Sequence, residues 1–266
     1  MAEVFGIVSG SASLASIFTS AVECFRSIQL GSNFQQDYAQ NMVTIRLLEI
    51  RLSRWGAAVD VYNDEPHLGN PNATPADVDA AKKAMLQILQ LFSESKQESG
   101  KFSQLTEVCT TEHISDANYA ALIRQTSAIS TQRTKEPGML GLVKWVVYKK
   151  KHLKELSDGI VALLDQLEQL FPAQEARGRL SDEDLRAICT SVQAKVLQDV
   201  SEGIDQLLQD RSREMNPSTR GGSYFGTISS TGGTTNNGDY FEDPQAAKGF
   251  IPPAGGSEFR KIHSLG

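Results

Sequence analysis

Apolar residues recur at spacings of three and four along most of residues 1–215, which is the spacing of one face of an α-helix. One long run covers 34–62, and another covers 78–92 after a break at 63–72 that is rich in proline and glycine. We find no comparable alternation of apolar and polar residues, the pattern of a half-buried strand. The pattern therefore predicts an all-α, multi-helix bundle over 1–215.

Local signals indicate where one of these helices begins. Thr74 is predicted to be the N-cap of the helix that contains 78–92, with Pro75 in the first helical position. Asp77 would then lie near the positive end of the helix dipole. These three residues together predict a well-defined helix start.

Three more helices are predicted in the second half of this region. A short one surrounds Leu122, and the last is opened by Ser181 as its cap and has a buried stripe that ends at Leu207. A long one covers 142–170. Its predicted buried stripe is Leu142, Val146, Leu153, Leu156, Ile160, Leu163, Leu167 and Leu170.

The first predicted helix is unusual because residues 4–22 carry no charge between Glu3 and Glu23. A bilayer core needs about 17–25 predominantly apolar residues, so the segment is long enough to cross one but is diluted by serines. The serines that share one helical stripe, which we expect to face water, are Ser9, Ser13, Ser16 and Ser20. The apolar residues that would enter a membrane are Val4, Phe5, Ile7, Val8, Leu14, Ile17, Phe18 and Val22.

Four interpretations of this segment are open. It is a core helix of a soluble bundle, a cleaved signal peptide, a permanent membrane span, or a helix that is soluble in one state and membrane-associated in another. The acidic start disfavours a signal peptide. Weak hydropathy disfavours a permanent span, whose nearest basic flank would be Arg26.

The composition changes at Asn216. The last 51 residues hold ten of the 21 glycines and four of the nine prolines, which predicts a disordered tail rich in Gly, Ser, Thr and Asn over 216–266. Three short glycine-aromatic segments in it either repeat by chance or pair between chains. The aromatic residues that would self-associate are Tyr224, Phe225, Tyr240, Phe241 and Phe259.

Charge and motifs restrict the function further. The net charge of −6 lies on residues 1–215, because the tail has four basic and four acidic residues, and an acidic body argues against nucleic-acid binding. Trp145 and Tyr148 lie among lysines, as interfacial anchors or as core residues. The lysines form either a solvated helix face or a site for anionic lipid headgroups: Lys144, Lys149, Lys150, Lys151 and Lys154.

No catalytic or nucleotide-binding motif is present, and the four histidines are read as surface residues. Three widely spaced cysteines indicate a reducing compartment, here the cytoplasm, rather than a disulfide framework. We therefore expect a non-enzymatic protein without a cofactor or metal.

Several short strings resemble the fungal HeLo domain, the prion-inhibition and propagation domain of Het-s-type incompatibility proteins. The most specific is Arg-Leu-Ser-Arg-Trp-Gly at 51–56. The others lie at 5–8, 22–25, 29–31, 91–95 and 153–172. The resemblance covers most of 1–215 and is strongest at 3–60 and 142–172.

The resemblance implies an all-helical domain that refolds on activation and releases its N-terminal segment to disrupt membranes, with cell death as the result. It implies self-association, binding to anionic membrane lipids, an upstream amyloid-signalling partner, and movement from cytoplasm to membrane. The tail departs from the family, because we find none of the paired pseudo-repeats of prion-active members. The alternative is a non-enzymatic helical adaptor with a partner-binding tail and a role in pathogenicity, since a homologue near which the resemblance would place this chain is a loss-of-pathogenicity protein of a plant-pathogenic fungus.

Overall fold

The computed structural model of the protein describes residues 12–100, 108–109, 114–135, 144–188 and 191–215. Within them the chain is mainly helical, so the all-α prediction is confirmed. The helices are α1 (Leu14–Ser27), α2 (Tyr38–Ala58), α3 (Pro75–Gly100), α4 (Ala117–Arg133), α5 (Lys150–Leu170), α6 (Gln174–Ile188), α7 (Ser191–Ser201) and α8 (Gln206–Met215). A 3-10 helix (Ser32–Phe34) precedes α2. The predictions for 1–11 and for 216–266 lie outside the described residues.

Helix α2 is the centre of the bundle. It packs against α1, α4, α5, α6 and α7, and most of its side chains are buried, including Trp55. The apolar run at 34–62 overestimates its length, because Phe34 belongs to the 3-10 helix and Tyr62 to the loop after α2. A helix that is surrounded by partners needs apolar residues on more than one face, and α2 has them.

Two three-residue strands were not predicted. Strand β1 (Ile28–Leu30) pairs in parallel with β2 (Trp145–Val147), with Ile28 opposite Trp145. The prediction of one helix from Leu142 is therefore wrong at its start, and α5 begins only at Lys150. Strands this short contain too few residues for a period of two to be recognised.

The buried face of α5 differs from the predicted stripe in the C-terminal half of the helix. Leu153, Leu156, Ile160 and Leu167 are buried as expected. Between them Leu164 is completely buried, whereas the predicted Leu163 and also Leu170 are only partly buried. The spacing of four from Ile160 to Leu164 keeps the face aligned better than a spacing of three.

The last predicted helix is wrong at its start, because Ser181 lies fully buried inside α6 rather than at a cap. The predicted cap of α3 is correct: Thr74 Oγ1 accepts a bond from the Asp77 amide at 3.3 Å, and Asp77 Oδ2 accepts one from the Thr74 amide at 2.8 Å. This reciprocal pair is the capping box of helix starts, here with Asp in place of Glu.

Candidate functional site

The described part of the uncharged segment forms α1, and its apolar residues face the core. Leu14, Ile17, Phe18 and Val22 have no exposed surface. The other four apolar residues proposed for membrane entry, and Glu3, lie outside the described residues. Helix α1 is therefore a structural element of the bundle in this conformation.

The serine stripe does not face water along its whole length. Ser13 and Ser16 are exposed, but Ser20 is buried and donates a hydrogen bond to the Ser16 carbonyl at 2.9 Å. The expectation of a water-facing stripe is thus wrong at Ser20, because α1 packs against both α2 and α3. Ser9 lies outside the described residues.

The start of α1 is capped twice. Ser13 Oγ accepts a hydrogen bond from the Ser16 amide at 3.2 Å, which is an ordinary N-cap. Glu65, in the loop 59–74 between α2 and α3, accepts a bond from the Leu14 amide at 2.5 Å. Its carboxylate lies at the positive end of the α1 dipole, an interaction worth about 0.3–1 kcal/mol at an exposed site.

Tyr62, from the same loop, bridges α1 to the end of α4. Its ring packs edge to face on Phe18, with the centroids 5.6 Å apart. Its hydroxyl lies 3.0 Å from Thr19 Oγ1 and accepts a bond from the Lys135 amide at 3.1 Å. Because Thr19 already donates its only hydroxyl proton to a carbonyl of α1, Tyr62 is the donor to Thr19. We call the contacts of Tyr62 and Glu65 with α1 and Lys135 the α1 clasp.

The middle of α1 lies directly on the backbone of α2. An added Cβ at Gly56 would be 2.3 Å from Cε2 of Phe18, a distance that no real contact has. Gly56 therefore provides the space that the Phe18 ring fills. Gly56 is the last residue of the Arg-Leu-Ser-Arg-Trp-Gly string. The contact with Phe18 explains why this position of the string is a glycine.

The C-terminal end of α1 is held by ion pairs. Arg26 donates to Glu49 of α2 at 3.0 Å, and Arg46 donates to the other oxygen of the same carboxylate at 2.6 Å. The Glu49 side chain has no exposed surface. A buried carboxylate without a partner is strongly destabilising, and the two arginines together prevent this at Glu49. Arg26, proposed as a membrane flank, is thus part of the bundle.

Glu23 and Cys24 lie in the interior beside α3. Both residues are buried. Burial first, and then the charge of Glu23, raise the pKa of the Cys24 thiol, while Lys96 of α3 acts in the opposite direction. The acidic flank of the uncharged segment is therefore inside the bundle, and the thiol stays protonated at neutral pH.

The strand pair joins the end of α1 to the residues before α5. Trp145 Nε1 donates a hydrogen bond to Ser27 Oγ at 3.0 Å, and the Gly31 amide donates to the Val147 carbonyl at 2.9 Å. Trp145 and Tyr148 are both buried. Of the two interpretations of these aromatics, core residues and interfacial anchors, this conformation matches the core.

A second buried charge cluster involves Arg54 of α2, which the sequence analysis did not identify. Its Nε donates to Asp184 at 2.8 Å and its Nη1 to Asp205 at 2.9 Å. Arg133 of α4 donates to the other Asp184 oxygen at 2.5 Å. Asp184 and Asp205 are buried, and Arg133 is mostly buried. These bonds link α2, α4, α6 and the residue before α8.

Arg51 extends the cluster towards α5. It donates two hydrogen bonds to Glu168, at 3.1 and 2.8 Å, and one to Asp165 at 2.5 Å. Arg177 also donates to Glu168, at 2.7 Å. Burial lowers the pKa of Arg51, but the hydrogen bonds to Glu168 and Asp165 and the charges of Glu168 and Asp205 outweigh it and raise the pKa overall. The guanidinium therefore stays charged inside the bundle.

The lysines proposed to bind lipid headgroups are all exposed. Three of them form ion pairs with nearby carboxylates: Lys150 with Asp37, Lys151 with Glu155, and Lys154 with Asp158. Exposed pairs of this kind contribute about 0–1 kcal/mol and exchange easily with another anion. The paired carboxylates therefore lower the positive potential around these lysines but leave the ammonium groups accessible to other anions.

In the described ranges, no three His, Cys, Asp or Glu side chains are placed to hold a metal ion. None of the helices in this part of the chain has both the length and the apolar character to cross a bilayer. The aromatic residues proposed for tail self-association lie beyond the described residues.

Residues 6–213 match the sequence model of the HeLo family, which is described as prion-inhibition and propagation. Heterokaryon incompatibility protein s of Podospora anserina is 28% identical over 218 residues, which cover 80% of this chain and 75% of that protein. Heterokaryon incompatibility protein S of the same species is 27% identical with the same coverage.

Solved structures of the HET-s N-terminal domain have a similar fold. One superposes with a TM-score of 0.71 at 26% identity and covers 77% of this chain and 97% of that chain. A mutant form of the domain has a TM-score of 0.71 at 25% identity and covers 79% of this chain and 100% of that chain.

Proposed function

The chain belongs to the HeLo family, as the resemblance predicted, and we propose that its helical domain is a latent membrane-disrupting effector of heterokaryon incompatibility or programmed cell death. The relatives are named as heterokaryon incompatibility proteins. The observation that carries the proposal concerns the described part of an uncharged segment of bilayer-spanning length: its apolar residues from Leu14 to Val22 are stored in the core as α1.

Helix lengths support a change of conformation rather than simple exposure of α1. With 14 residues at about 1.5 Å per residue, α1 is roughly 21 Å long. A bilayer core is about 30 Å thick. As one helix, residues 4–22 would extend over roughly 28 Å, which nearly matches it. Membrane insertion therefore requires α1 to leave the core and to continue through the residues before Leu14.

The proposal includes the partners that such an effector needs. Anionic lipids would displace the carboxylates from the lysines before and in α5, and released segments would associate through their glycines and serines. The tail aromatics would receive an activating signal by pairing with an amyloid-forming partner. The protein would then move from the cytoplasm to the membrane, without an enzymatic step and without a cofactor.

A lysine on the exposed face of α1 tests the proposal, because water solvates this charge in the folded bundle and a bilayer does not. Ser16 is exposed on α1, so Ser16→Lys leaves the bundle folded. Near a bilayer centre a lysine costs about 2.5–3.5 kcal/mol on insertion scales. We expect this variant to lose most dye release from phosphatidylserine vesicles when full-length protein is primed with urea just below its unfolding transition. Ser16 is preferable to Ser13, which caps α1.

The matched control is Gln87→Lys, which adds the same charge at an exposed position of α3. It should release dye as the wild type does. If Ser16→Lys is folded and still releases dye at the wild-type rate, then α1 does not act on the membrane.

A second candidate is the helical adaptor, and the contacts of α1 with α2 and α3 favour it. In this case α1 is a permanent core element and only the tail binds partners. Flotation of primed protein with vesicles separates the two functions: an adaptor stays in the aqueous fraction, whereas the effector floats with the lipid.

A further inference from the structure

We propose that the α1 clasp is the retaining contact that opens first when α1 leaves the bundle. The biological use of this opening rests on the proposed function. The clasp itself is a property of the folded protein, and it is tested without a membrane.

The two ends of α1 are held by contacts of different kinds. At the C-terminal end, Arg26 pairs with a carboxylate that has no exposed surface, and β1 continues directly into the strand pair. At the N-terminal end, Leu14 and Thr19 are held by Glu65 and Tyr62, which are both partly exposed. Water competes for partly exposed hydrogen bonds, so the N-terminal end opens at a lower cost.

Tyr62 makes the clasp a single unit rather than a set of independent contacts. Its hydroxyl donates to Thr19 and accepts from the Lys135 amide, and the Lys135 ammonium lies 4.9 Å from the centre of its ring. The same ammonium donates to Asn63 of the loop at 3.2 Å. Moving the loop therefore breaks contacts to α1 and to the end of α4 together.

The backbone of the loop favours opening. Asp60 and Leu68 both have a φ of 49°, in the left-handed region, which aspartate tolerates but which is unfavourable for a bulky residue such as leucine. Leu68 is held there by burial of its side chain. Release of the loop lets both residues return to ordinary conformations, which partly offsets the contacts that are lost.

Amide hydrogen exchange on the full-length protein tests the clasp. Tyr62→Phe keeps the ring on Phe18 and removes only the hydroxyl. We expect exchange in the first half of α1 to accelerate about three- to tenfold, the change that corresponds to one or two ordinary hydrogen bonds. Exchange in α2 and α5 should remain unchanged. The matched control is Tyr119→Phe, on α4 and also partly buried, and it should leave α1 at the wild-type rate.

Glu65→Gln gives an independent arm, because it removes the charge at the α1 dipole but keeps an oxygen that can accept the Leu14 bond. It should accelerate exchange in the same peptides by a smaller factor. The inference is overturned if neither variant changes α1 exchange, or if α1 and α2 accelerate equally, since the variants would then only destabilise the whole bundle.

Vesicle leakage separates the failure of the clasp from the failure of the proposed function. Faster α1 exchange in Tyr62→Phe, together with leakage at a lower urea concentration, supports both. Faster exchange without any leakage supports the clasp and contradicts the membrane function.

Discussion

The hydrogen atom that stands in place of a side chain at Gly56 decides how closely α1 approaches α2. The Phe18 ring occupies this space and has no exposed surface towards which it could move. We expect Gly56→Ala to lower the free energy of unfolding by about 1–3 kcal/mol through overpacking. The roughly 1 kcal/mol that alanine gains over glycine inside a helix offsets part of this cost, so the net loss is at most about 2 kcal/mol. Urea unfolding measures the difference.

The control for this change is Gly178→Ala in α6. A Cβ at Gly178 would meet only the end of the Arg211 side chain, at 3.3 Å, and this long side chain can move. The control should be neutral or stabilising by up to about 1 kcal/mol. Equal destabilisation by both substitutions would contradict the close packing of Phe18.

At the residue scale, the sequence predicted apolar contacts better than charged ones. Trp55 and most of the α5 leucines are buried as their spacing indicated. The predicted cap at Ser181 would place Asp184 in the first turn of a helix, where acids are favourable, yet Asp184 bonds to Arg54 and Arg133 inside the bundle. A carboxylate is favourable both at a helix start and in a buried ion pair with arginine. The sequence near Asp184 does not distinguish the two, because the arginines are distant in the chain.

At the scale of the element, the face of α5 gives a direct test. Leu164 is completely buried, whereas its neighbour Leu163 is partly exposed. We expect Leu164→Ala to cost about 2–5 kcal/mol in urea unfolding, the range for a truncated core leucine. Leu163→Ala removes the same atoms from the same helix and should cost clearly less. A larger loss for Leu163→Ala would mean that α5 is rotated relative to the bundle.

The existence of most helices was predictable at this scale, whereas helix ends were predictable only where a local signal marks them. The start of α3 at Pro75 followed from a cap that lies within four residues of sequence. The start of α5 at Lys150 depends on β2, which precedes it. Strand β2 forms by pairing with β1, and β1 lies more than one hundred residues earlier in the chain. Local periodicity carries no information about such pairing. For the same reason, the clasp could not be predicted from the spacing of Tyr62 and Phe18.

For the whole molecule, the boundary at 216 remains a prediction. A low-complexity tail contributes little packing, so we expect deletion of 216–266 to leave the midpoint of thermal unfolding of the helical domain nearly unchanged. Circular dichroism of both chains measures this. A fall of several degrees would show that the tail stabilises the folded domain.

The same tail prediction extends to aggregated protein. If the tail forms ordered fibrils, the amides at Tyr224-Phe225 and Tyr240-Phe241 should be protected from hydrogen exchange. Full exchange at both pairs in aggregates would exclude these aromatics as the self-association residues.

The pairing of β1 with β2 also sets the order of events on the ribosome. The strand that follows α1 must wait for residues 145–147, and Arg54 must wait for Asp205. At about 5–20 residues per second, synthesis of the intervening chain takes on the order of ten seconds. During this time α1 and the helices on which it packs, α2 and α3, have been made, whereas β2 and Asp205 have not. A newly made chain therefore holds α1 on an incomplete bundle for several seconds, and the C-terminal end of α1 is the part that stays without its strand partner longest.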